Sequence, residues 1–354
     1  MKVVSVVGTR PQLVKAAVVT RVLRDDARFD EVTIDTGQHY DRELSTLLLD
    51  DLHDVRPVRN LNIHGGSDHN VLARMIDAAG DALSEEAPDL VLVYGDTHST
   101  LAGALAAQSL GVHLGHVEAG LRSYNRVMRE ERIRILVDHA ADLLLCPTPA
   151  AVRNLAAEGV TQGVHHVGDV MYDAALLARR AVEDQPSDLL ERLGVVPGGY
   201  AVATLHRAET TDDPVALGAA LAELCRVTET TPVVFPVHPR TAAAIAAGGL
   251  STDGLLTMPP VGYFDMTRLV AGAALVCTDS GGLQKEAYFH RVPCVTLRSE
   301  TEWGETIAAG WNRLWTVPEW TVPRRDIPDY GDGHAGRAIA SVLGEAQDDA
   351  WARA

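Results

Sequence analysis

The amino-acid sequence predicts an α/β protein of two Rossmann-like domains, each built on a doubly wound parallel sheet. Short apolar, β-branched runs alternate with segments of helical periodicity; a polar, proline-containing tract begins at Gln185, and the alternation restarts at Tyr200. Glycine-rich or polar turns follow the apolar runs in both halves, as expected where parallel strands lead into ligand-binding loops. At 354 residues the chain is long enough for two domains of ordinary size.

The first half is predicted to cover residues 1–169. Its strands are expected at Val3–Val7, Val32–Asp35, Leu90–Tyr94, Val112–His116, Leu143–Cys146 and His165–Val167. Its helices are expected at Val14–Leu23, Arg42–Asp51, Asn70–Glu86, Thr100–Ser109, Glu130–Ala141 and Pro149–Glu158. Because strands and helices alternate, successive strands are expected to be parallel and joined by helical crossovers.

The second half is predicted to cover residues 170–334 and to begin with a bridging helix after Gly168. Its strands are expected at Ala201–Leu205, Pro232–Val237, Leu255–Met258, Leu275–Cys277 and Pro293–Leu297. Its helices are expected at Val215–Thr228, at Met266–Ala273 and after the turn at Ser280. Residues 335–354 are assigned to a C-terminal helix.

The composition restricts the classes of partner. The formal net charge of −17, with 46% hydrophobic and 22% charged residues, is that of an acidic soluble globular protein. It argues against nucleic acid or an anionic membrane as the main partner. No apolar run reaches about 18 residues and the chain opens with a strand, so we expect a cytoplasmic protein without a membrane span. The four cysteines show no paired spacing and are expected to be reduced thiols.

A glycine-rich turn follows the strand that ends at Cys277. Gly281 and Gly282 leave backbone N–H groups accessible at the positive end of the next helix, and Ser280 can cap that end. Such a turn can hold a diphosphate, and Glu286, about one helical turn further on, can accept sugar hydroxyls. The alternative is an ordinary strand-to-helix turn with a serine cap.

A second turn of this kind joins the first strand to the first helix. Gly8-Thr9-Arg10-Pro11 is followed by Lys15, so two cations stand near a helix start in an acidic chain. Both can pair with a pyrophosphate. The alternative is that Arg10 and Lys15 are surface residues near a tight turn.

Carboxylates follow two predicted strands of the first half. Asp96 and Glu118 should face the same crevice, because the carboxyl ends of parallel strands share one edge of the sheet. Two carboxylates at one crevice suggest acid/base chemistry, although each could instead cap a helix or bind a sugar hydroxyl. His206 follows a strand of the second half and is either a pocket residue or a core histidine. The histidines show no metal-binding spacing, and no metal is assigned.

Five motifs occur in order along nearly the whole chain. They are Gly8-Thr9-Arg10-Pro11 with Lys15, Gly95-Asp96-Thr97, His116-Val117-Glu118-Ala119-Gly120-Leu121-Arg122, Leu205-His206-Arg207-Ala208-Glu209, and Asp279-Ser280-Gly281-Gly282-Leu283-Gln284 with Glu286. Together they resemble the motifs of the non-hydrolysing UDP-N-acetylglucosamine 2-epimerases and of relatives that act on related UDP-2-acetamido sugars.

The resemblance implies a GT-B-like fold, in which two Rossmann-like domains face a central cleft and a C-terminal helix crosses back onto the N-terminal domain. The amphipathic segment Ala335–Gln347 suits that helix. The resemblance also implies a homodimer that uses neither NAD nor a required metal, so no cofactor is expected.

The implied activity is that of an isomerase of aminosugar metabolism, which interconverts UDP-GlcNAc and UDP-ManNAc. UDP is eliminated across C1–C2 to leave a 2-acetamidoglucal, and it adds back after the opposite face of C2 is protonated. The resemblance assigns roles to several residues of this chain. Acid/base candidates are Asp96, Glu118 and Glu130; His206 is placed near the diphosphate and Arg10 at the leaving UDP; Ser280, Gly281, Gly282 and Glu286 are assigned to diphosphate and ribose, and Met266 to the uracil.

The chain departs from the family pattern at several positions. Gln12 replaces a usual Glu, and Arg129 and Ile133 replace the Pro and Asn of a Pro-Glu-Glu-x-Asn-Arg block. The loss of that Asn puts hydrogen bonding behind Glu130 in question. Trp303 replaces an Arg that contacts sugar or phosphate. The segment that starts at Gln38 only partly matches the one that binds an activating second substrate, so allosteric activation is not assigned.

Other functions stay open at this point. A hydrolysing epimerase would release ManNAc and UDP, and a related 2-epimerase would act on a more decorated UDP sugar, such as a diacetamido-uronate. A GT-B glycosyltransferase would use the same nucleotide site, although three carboxylates exceed what an acceptor groove needs. A UDP-sugar binding protein without turnover would account for Gln12, Arg129 and Ile133.

Overall fold

The computed structural model describes residues 1–38 and 59–349, and the chain divides into two compact units. Unit 1 comprises Met1–Ala174 and Pro328–Ala354, and unit 2 comprises Ala175–Ile327. The helix predicted at Arg42–Asp51 lies outside the described residues.

Unit 1 is built on a parallel sheet with helical crossovers. Its strands are β1 (Lys2–Val7), β2 (Asp30–Asp35), β3 (Arg59–Asn60), β4 (Leu90–Tyr94), β5 (His113–Val117), β6 (Leu143–Cys146) and β7 (Val164–His166). Its helices are α1 (Arg10–Arg24), α2 (Asp68–Glu86), α3 (His98–Leu110), α4 (Arg129–Ala140), α5 (Pro149–Ala157) and the start of α6 (Val170–Asp184). The strand order in the described residues is β3-β2-β1-β4-β5-β6-β7, so the order reverses between β1 and β4.

The centre of this sheet is buried on both faces, which explains the continuous apolar runs of β1 and β4. Ser5 pairs in register with Thr33 on β2 and Leu92 on β4. Helix α3 packs closely over these strands, because a Cβ at Gly103 would lie 3.0 Å from both Val6 and Val93. The close approach of α3 fixes the turn that precedes it.

The C-terminal helix α14 (Ala335–Asp349) belongs to unit 1. A Cβ at Gly336 would lie 2.9 Å from the Val18 side chain of α1, so the two helices are in close contact. The buried Asp173 carboxylate accepts hydrogen bonds from the backbone N–H groups of Ala335 (3.0 Å) and Gly336 (2.9 Å). These bonds satisfy N–H groups at the start of α14 that have no partner within the helix.

Unit 2 repeats the pattern of unit 1. Its strands are β8 (Ala201–Thr204), β9 (Val233–Pro236), β10 (Leu256–Met258), β11 (Leu275–Thr278), β12 (Cys294–Thr296) and β13 (Asn312–Leu314). After the end of α6, its helices are α7 (Leu189–Arg192), α8 (Ala208–Thr211), α9 (Pro214–Thr228), α10 (Pro239–Gly248), α11 (Tyr263–Ala271), α12 (Gly281–Phe289) and α13 (Gly304–Ala308). The strand order in the described residues is β10-β9-β8-β11-β12-β13, all parallel, with the reversal between β8 and β11.

The predicted α/β class with two doubly wound parallel sheets is confirmed. In such sheets ligands bind outside the carboxyl ends of the strands where the strand order reverses. That rule selects the turns after β1 and β4 in unit 1 and the turns after β8 and β11 in unit 2. In the described part of the chain, no helix is both long enough and apolar enough to span a membrane.

Candidate active site

The turn after β1 is tied to the turn after β4 by the buried side chain of Gln12. Its Oε1 accepts hydrogen bonds from the backbone N–H groups of Gly8 (2.9 Å) and Thr9 (3.1 Å). Its Nε2 donates to Tyr94 O (2.7 Å), Thr97 Oγ1 (2.9 Å) and Thr100 Oγ1 (2.8 Å). Gln12 therefore has a structural role in this chain. It fixes the turn that leads from β1 into α1, which begins at Arg10.

Lys15 and Glu118 form an ion pair at the carboxyl edge of the unit 1 sheet. Their side chains are only 10% and 13% exposed. Glu118 directly follows β5 and has φ +73°, in the left-handed region that non-glycine residues rarely adopt. Gly95, directly after β4, lies against the pair: a Cβ there would lie 3.3 Å from Lys15 Nζ and from Glu118 Oε2. Strained backbone of this kind is concentrated at functional sites.

A small cavity lies at the same edge of the sheet. It is lined by Lys15, Glu118 and Asp169, together with Val117, Pro147, Gly168 and Val170. Asp169 is 2% exposed, and its Oδ1 accepts a hydrogen bond from the Met171 N–H (2.8 Å). Asp169 was not among the site residues predicted from the sequence. Its position directly after the last predicted strand of the first half was the available signal.

Asp96, the other carboxylate of this edge, pairs with Arg134 of α4. The same guanidinium donates to Glu131 Oε2 (2.8 Å), so Arg134 bridges two carboxylates. Burial alone would lower the pKa of Arg134, but the charges of Asp96, Glu131 and Glu118 raise it overall. The structure therefore brings Asp96 and Glu118 into the field of one cation.

Glu130 lies half-buried in the first turn of α4. Its neighbour Arg129 is exposed and pairs with Asp68 at 2.5 Å. Burial lowers the pKa of His98, an effect that Arg129 reinforces and that the charges of Asp68 and Glu130 oppose. Ile133 is 4% exposed in the apolar core, so its side chain contributes packing.

A buried network supports the backbone around Glu118. His116 forms hydrogen bonds with both ring nitrogens: Nδ1 lies 2.7 Å from Asp138 Oδ1, and Nε2 lies 2.8 Å from Gly95 O. Asp138 also accepts from Arg122 Nη1 (2.6 Å) and from the Gly120 N–H (3.1 Å). Burial opposes ionisation of Asp138, but the hydrogen bonds and charges of His116 and Arg122 outweigh it and hold its pKa below the usual range. The strand-end turns on both sides of the Lys15–Glu118 pair are thereby fixed.

In unit 2, the turn after β11 leads into α12 with Ser280 as its N-cap. Ser280 Oγ accepts a hydrogen bond from the Leu283 N–H at 3.4 Å. Gly282 is exposed, and the atom nearest to a Cβ there would be Glu286 Oε1 at 4.0 Å. Gly281 is buried, and a Cβ there would lie 2.2 Å from Glu302 Oε1. Gly282 and Glu286 thus share an open face of the helix start, whereas Gly281 allows close packing.

His206 follows β8 and is oriented by the buried Asp279. The Asp279 carboxylate accepts hydrogen bonds from the backbone N–H groups of His206 and Arg207, each at 3.0 Å, and lies 3.4 Å from His206 Nδ1. Burial opposes ionisation of Asp279, but these contacts hold its pKa below the usual range. The imidazole of His206 is 42% exposed and lies 6.0 Å from the ring of His238. His206 is therefore a strand-end surface group.

The remaining two residues of unit 2 that the sequence analysis singled out lie in the packed part of the unit. Met266 of α11 packs against the core formed with Leu269 and Val270. Trp303 is 6% exposed, and the ammonium of Lys285 lies 3.9 Å from the centre of its ring. Trp303 is thus a buried indole that is stacked on a buried lysine.

Comparison with known proteins identifies the family. The family model described as UDP-N-acetylglucosamine 2-epimerase matches residues 21–344. The chain belongs to this family. It is 44% identical over 97% of its length to the UDP-2,3-diacetamido-2,3-dideoxy-D-glucuronate 2-epimerase of Pseudomonas aeruginosa, of which the match covers 99%. It is 45% identical to a UDP-N-acetylglucosamine 2-epimerase homolog of Methanococcus maripaludis, over 89% of this chain and 88% of the relative.

Solved structures agree with the family assignment. The crystal structure of Methanocaldococcus jannaschii UDP-GlcNAc 2-epimerase in complex with UDP-GlcNAc and UDP has a TM-score of 0.89 and 33% identity, with 98% of this chain and 100% of that chain covered. The Neisseria meningitidis UDP-GlcNAc 2-epimerase bound to UDP-GlcNAc has a TM-score of 0.86 and 27% identity, over 98% and 100% of the two chains. This 2-epimerase family member is an isomerase with a GT-B-like α/β fold.

Residues 1–38 and 59–349 contain no group of three or more His, Cys, Asp or Glu side chains placed to hold a metal ion.

Proposed function

We propose that this epimerase interconverts UDP-GlcNAc and UDP-ManNAc by eliminating and re-adding UDP, without releasing free sugar. The observation that carries this proposal is the pair of anchored carboxylates at the unit 1 switch point: Glu118 held by Lys15 and Asp96 held by Arg134. Inversion at a carbon needs a proton removed from one face and a proton delivered to the other, which two separately held carboxylates can provide.

The proposed reaction proceeds in two balanced steps. A carboxylate removes the proton from C2, the C1–O bond to UDP breaks with its electron pair, and a C1–C2 double bond forms. A proton is then added to the opposite face of C2, and a diphosphate oxygen of UDP attacks C1. Asp96, Glu118 and Glu130 are the proton-transfer groups in this proposal, and Arg10 stabilises the negative charge that develops on the departing UDP.

Unit 2 is proposed to bind the nucleotide. The N–H groups at the start of α12, around Gly281 and Gly282, suit a diphosphate because they lie at the positive end of a helix capped by Ser280. Glu286, on the same face as Gly282, is assigned to the ribose hydroxyls. We further assign His206 to the diphosphate.

The assignment of Met266 to the uracil is proposed from family resemblance alone, as are a homodimer and the absence of a cofactor. A cytoplasmic location is proposed from the sequence pattern, in which no apolar run reaches about 18 residues. The correspondence of unit 1 to the proton-transfer domain and of unit 2 to the UDP-binding domain is likewise part of this proposal.

A second candidate is 2-epimerisation of a UDP-2,3-diacetamido-uronate. The relative with that name is 44% identical over 97% of this chain, whereas a Methanococcus maripaludis relative named UDP-N-acetylglucosamine 2-epimerase is 35% identical over 97%. The indole of Trp303, in place of a family Arg, is the local feature that accompanies this likeness. The two candidates share one mechanism and differ in the sugar.

The deciding experiment follows the purified protein with UDP-GlcNAc in deuterated water by NMR. UDP-ManNAc with deuterium at C2 is the expected result. Free ManNAc and UDP would show a hydrolysing epimerase and contradict the non-hydrolysing step. No exchange with UDP-GlcNAc, but exchange with the UDP-2,3-diacetamido-uronate, would favour the second candidate. No exchange with either sugar would overturn both.

A further inference from the structure

The largely buried Arg134 links the candidate catalytic carboxylate Asp96 to the rest of unit 1. Its guanidinium is 9% exposed and donates to Asp96 and to Glu131 Oε2. The Asp96 side chain is 30% exposed, whereas that of Glu131 is 1% exposed. The guanidinium thus joins a carboxylate that solvent can reach to one that is sealed in the unit.

The sealed carboxylate is itself held at both oxygens. Glu131 Oε2 accepts hydrogen bonds from the Ser123 N–H (2.8 Å) and the Ser123 hydroxyl (3.0 Å), and Oε1 accepts from the Tyr124 N–H (2.9 Å). Tyr124 has φ +59°, so this loop is in a conformation that needs such support. Glu131 therefore gives the guanidinium a fixed anchor on the segment that follows Glu118.

The negative charges around Arg134 also require a cation at this position. Asp96, Glu118 and Glu131 all raise the pKa of Arg134, so three carboxylates surround it. Lys15 pairs with Glu118 and leaves Asp96 and Glu131 to Arg134. Replacing the guanidinium with a neutral group would leave two carboxylates close together, and repulsion would move the one that is not anchored. Asp96 is that carboxylate.

We propose that Arg134 is a positioning residue of the reaction, which fixes the Asp96 carboxylate for proton transfer at C2, and that Glu131 is its anchor. This inference rests on the proposed function of the site. The planar guanidinium of Arg134 bridges the two carboxylates from separate nitrogens, Nη2 to Asp96 and Nη1 to Glu131, and an ammonium on a flexible stem cannot reproduce that geometry. The inferred role is therefore one of geometry as well as charge.

The test compares Arg134→Ala, Arg134→Lys and Glu131→Gln with Arg132→Gln, an exposed residue of the same helix, as the matched control. Displacement of a catalytic group by about 1 Å can lower the rate about 100-fold. We expect Arg134→Ala to lower kcat and C2 exchange by about that factor with little change in KM, and Arg134→Lys to recover only part of the loss. Glu131→Gln should lower kcat by less, and Arg132→Gln should match the wild type.

Chemical rescue separates positioning from a purely structural contribution. Guanidinium ion at millimolar concentration should restore part of the kcat of Arg134→Ala. The unfolding temperature and the UDP affinity of this variant should be the same with and without guanidinium. Loss of kcat that follows loss of folded protein, without rescue, would overturn the inference. Equal kcat in Arg134→Ala and wild type would also overturn it. If the wild type does not exchange the C2 hydrogen of either UDP sugar for deuterium, the proposed function itself has failed. The wild-type control therefore distinguishes failure of the proposed function from failure of the inference about Arg134.

Discussion

Lys15 of the first helix and Glu118 after the fifth strand form a nearly enclosed ion pair across 103 residues of sequence. The pair lies where the strand order reverses, and the glutamate is held in left-handed backbone beside Gly95. A lysine at this place neutralises the carboxylate and fixes its direction.

Replacement of Glu118 by Gln tests its role in proton transfer. The amide keeps the shape of the side chain but cannot accept the C2 proton, so kcat should fall by about 100-fold to 10,000-fold, the usual contribution of general acid/base catalysis. UDP affinity, measured by titration calorimetry, should stay within a factor of about two of the wild-type value, because Glu118 is proposed to act in the transition state and not in binding UDP. A parallel loss of UDP affinity and of kcat would contradict the assignment.

Arg10 is predicted to behave differently from Glu118. It begins α1, and a cation at the departing diphosphate interacts with both the bound and the leaving UDP. Arg10→Ala should therefore weaken UDP binding and lower kcat together. Arg21→Ala on the same helix is the control, and it should change neither quantity. Unchanged UDP affinity in Arg10→Ala would contradict the assignment of Arg10 to the diphosphate.

Strand ends were predictable from the sequence, because apolar runs in a parallel sheet are buried on both faces and end at polar turns. This logic selected Asp96, Glu118, His206 and Ser280, and the structure places each of them directly at or near a strand end. The contact between Asp96 and Arg134 was not predictable in this way. It depends on the orientation of α4 relative to the sheet, which local periodicity does not determine.

Other elements were missed for similar reasons. Within the described residues, strand β3 spans Arg59–Asn60 and is defined by its pairing with β2, so these two residues carry no period of their own. Strand β13, Asn312–Leu314, holds the polar Asn312 buried because Thr296 donates to its Oδ1 at 2.9 Å. A hydrophobic pattern cannot reveal a strand whose buried side chain is satisfied by a partner distant in sequence.

Gln12 is predicted to be needed for the stability of this chain. A carboxylate at position 12 could accept from Gly8 and Thr9 but could not donate to Tyr94 O, and it would be buried. Gln12→Glu should lower the free energy of unfolding by about 1–3 kcal/mol at pH 7, the cost of an unsatisfied buried group. The loss should shrink as the pH falls toward the ordinary range of a carboxyl, because the protonated acid can donate. Urea unfolding at both pH values measures this.

The control for Gln12→Glu is Gln108→Glu. Gln108 is exposed on α3 and also donates to a backbone carbonyl, Ala140 O, at 2.8 Å. Because water can replace that bond, the change should be within about 0.5 kcal/mol. Equal effects at the two positions would contradict the structural role of Gln12.

The ionisation of Asp173 is predicted to make the free energy of unfolding depend on pH. Burial raises its pKa, and its hydrogen bonds with the N–H groups of Gly336 and Ala335 only partly offset this. Since the folded pKa exceeds the unfolded value of about 4, the native state binds more protons, and the contribution of Asp173 to stability decreases as the pH rises through the folded pKa. Asp173→Asn removes the charge but keeps only one of the two accepting oxygens, because the NH2 group cannot accept from the second N–H. The stability of Asp173→Asn relative to the wild type should therefore be higher at pH 7 than below about pH 4.

Asp173→Ala provides the comparison for that prediction. It removes both hydrogen bonds to the start of α14 and should lower the free energy of unfolding by about 0.5–2 kcal/mol, as for other lost N-caps. Thermal unfolding across pH 4 to 7 distinguishes the variants. A wild type that gains stability relative to Asp173→Asn as the pH rises would contradict the effect of burial.

The two glycines at the start of α12 should respond differently to the same substitution. A Cβ at Gly282 meets only Glu286 Oε1 at 4.0 Å, so Gly282→Ala should fold normally. A Cβ at Gly281 lies 2.2 Å from Glu302 Oε1, and Glu302 pairs with Arg298 at 2.9 Å. Gly281→Ala must therefore shift the end of the Glu302 side chain and weaken this ion pair, at a cost of up to about 1 kcal/mol. Gly282→Ala should nevertheless weaken UDP binding, because the methyl group would occupy the open face where the diphosphate is proposed to lie. Calorimetric UDP titration together with thermal unfolding separates the two effects, and unchanged UDP affinity in Gly282→Ala would move the diphosphate away from this helix start.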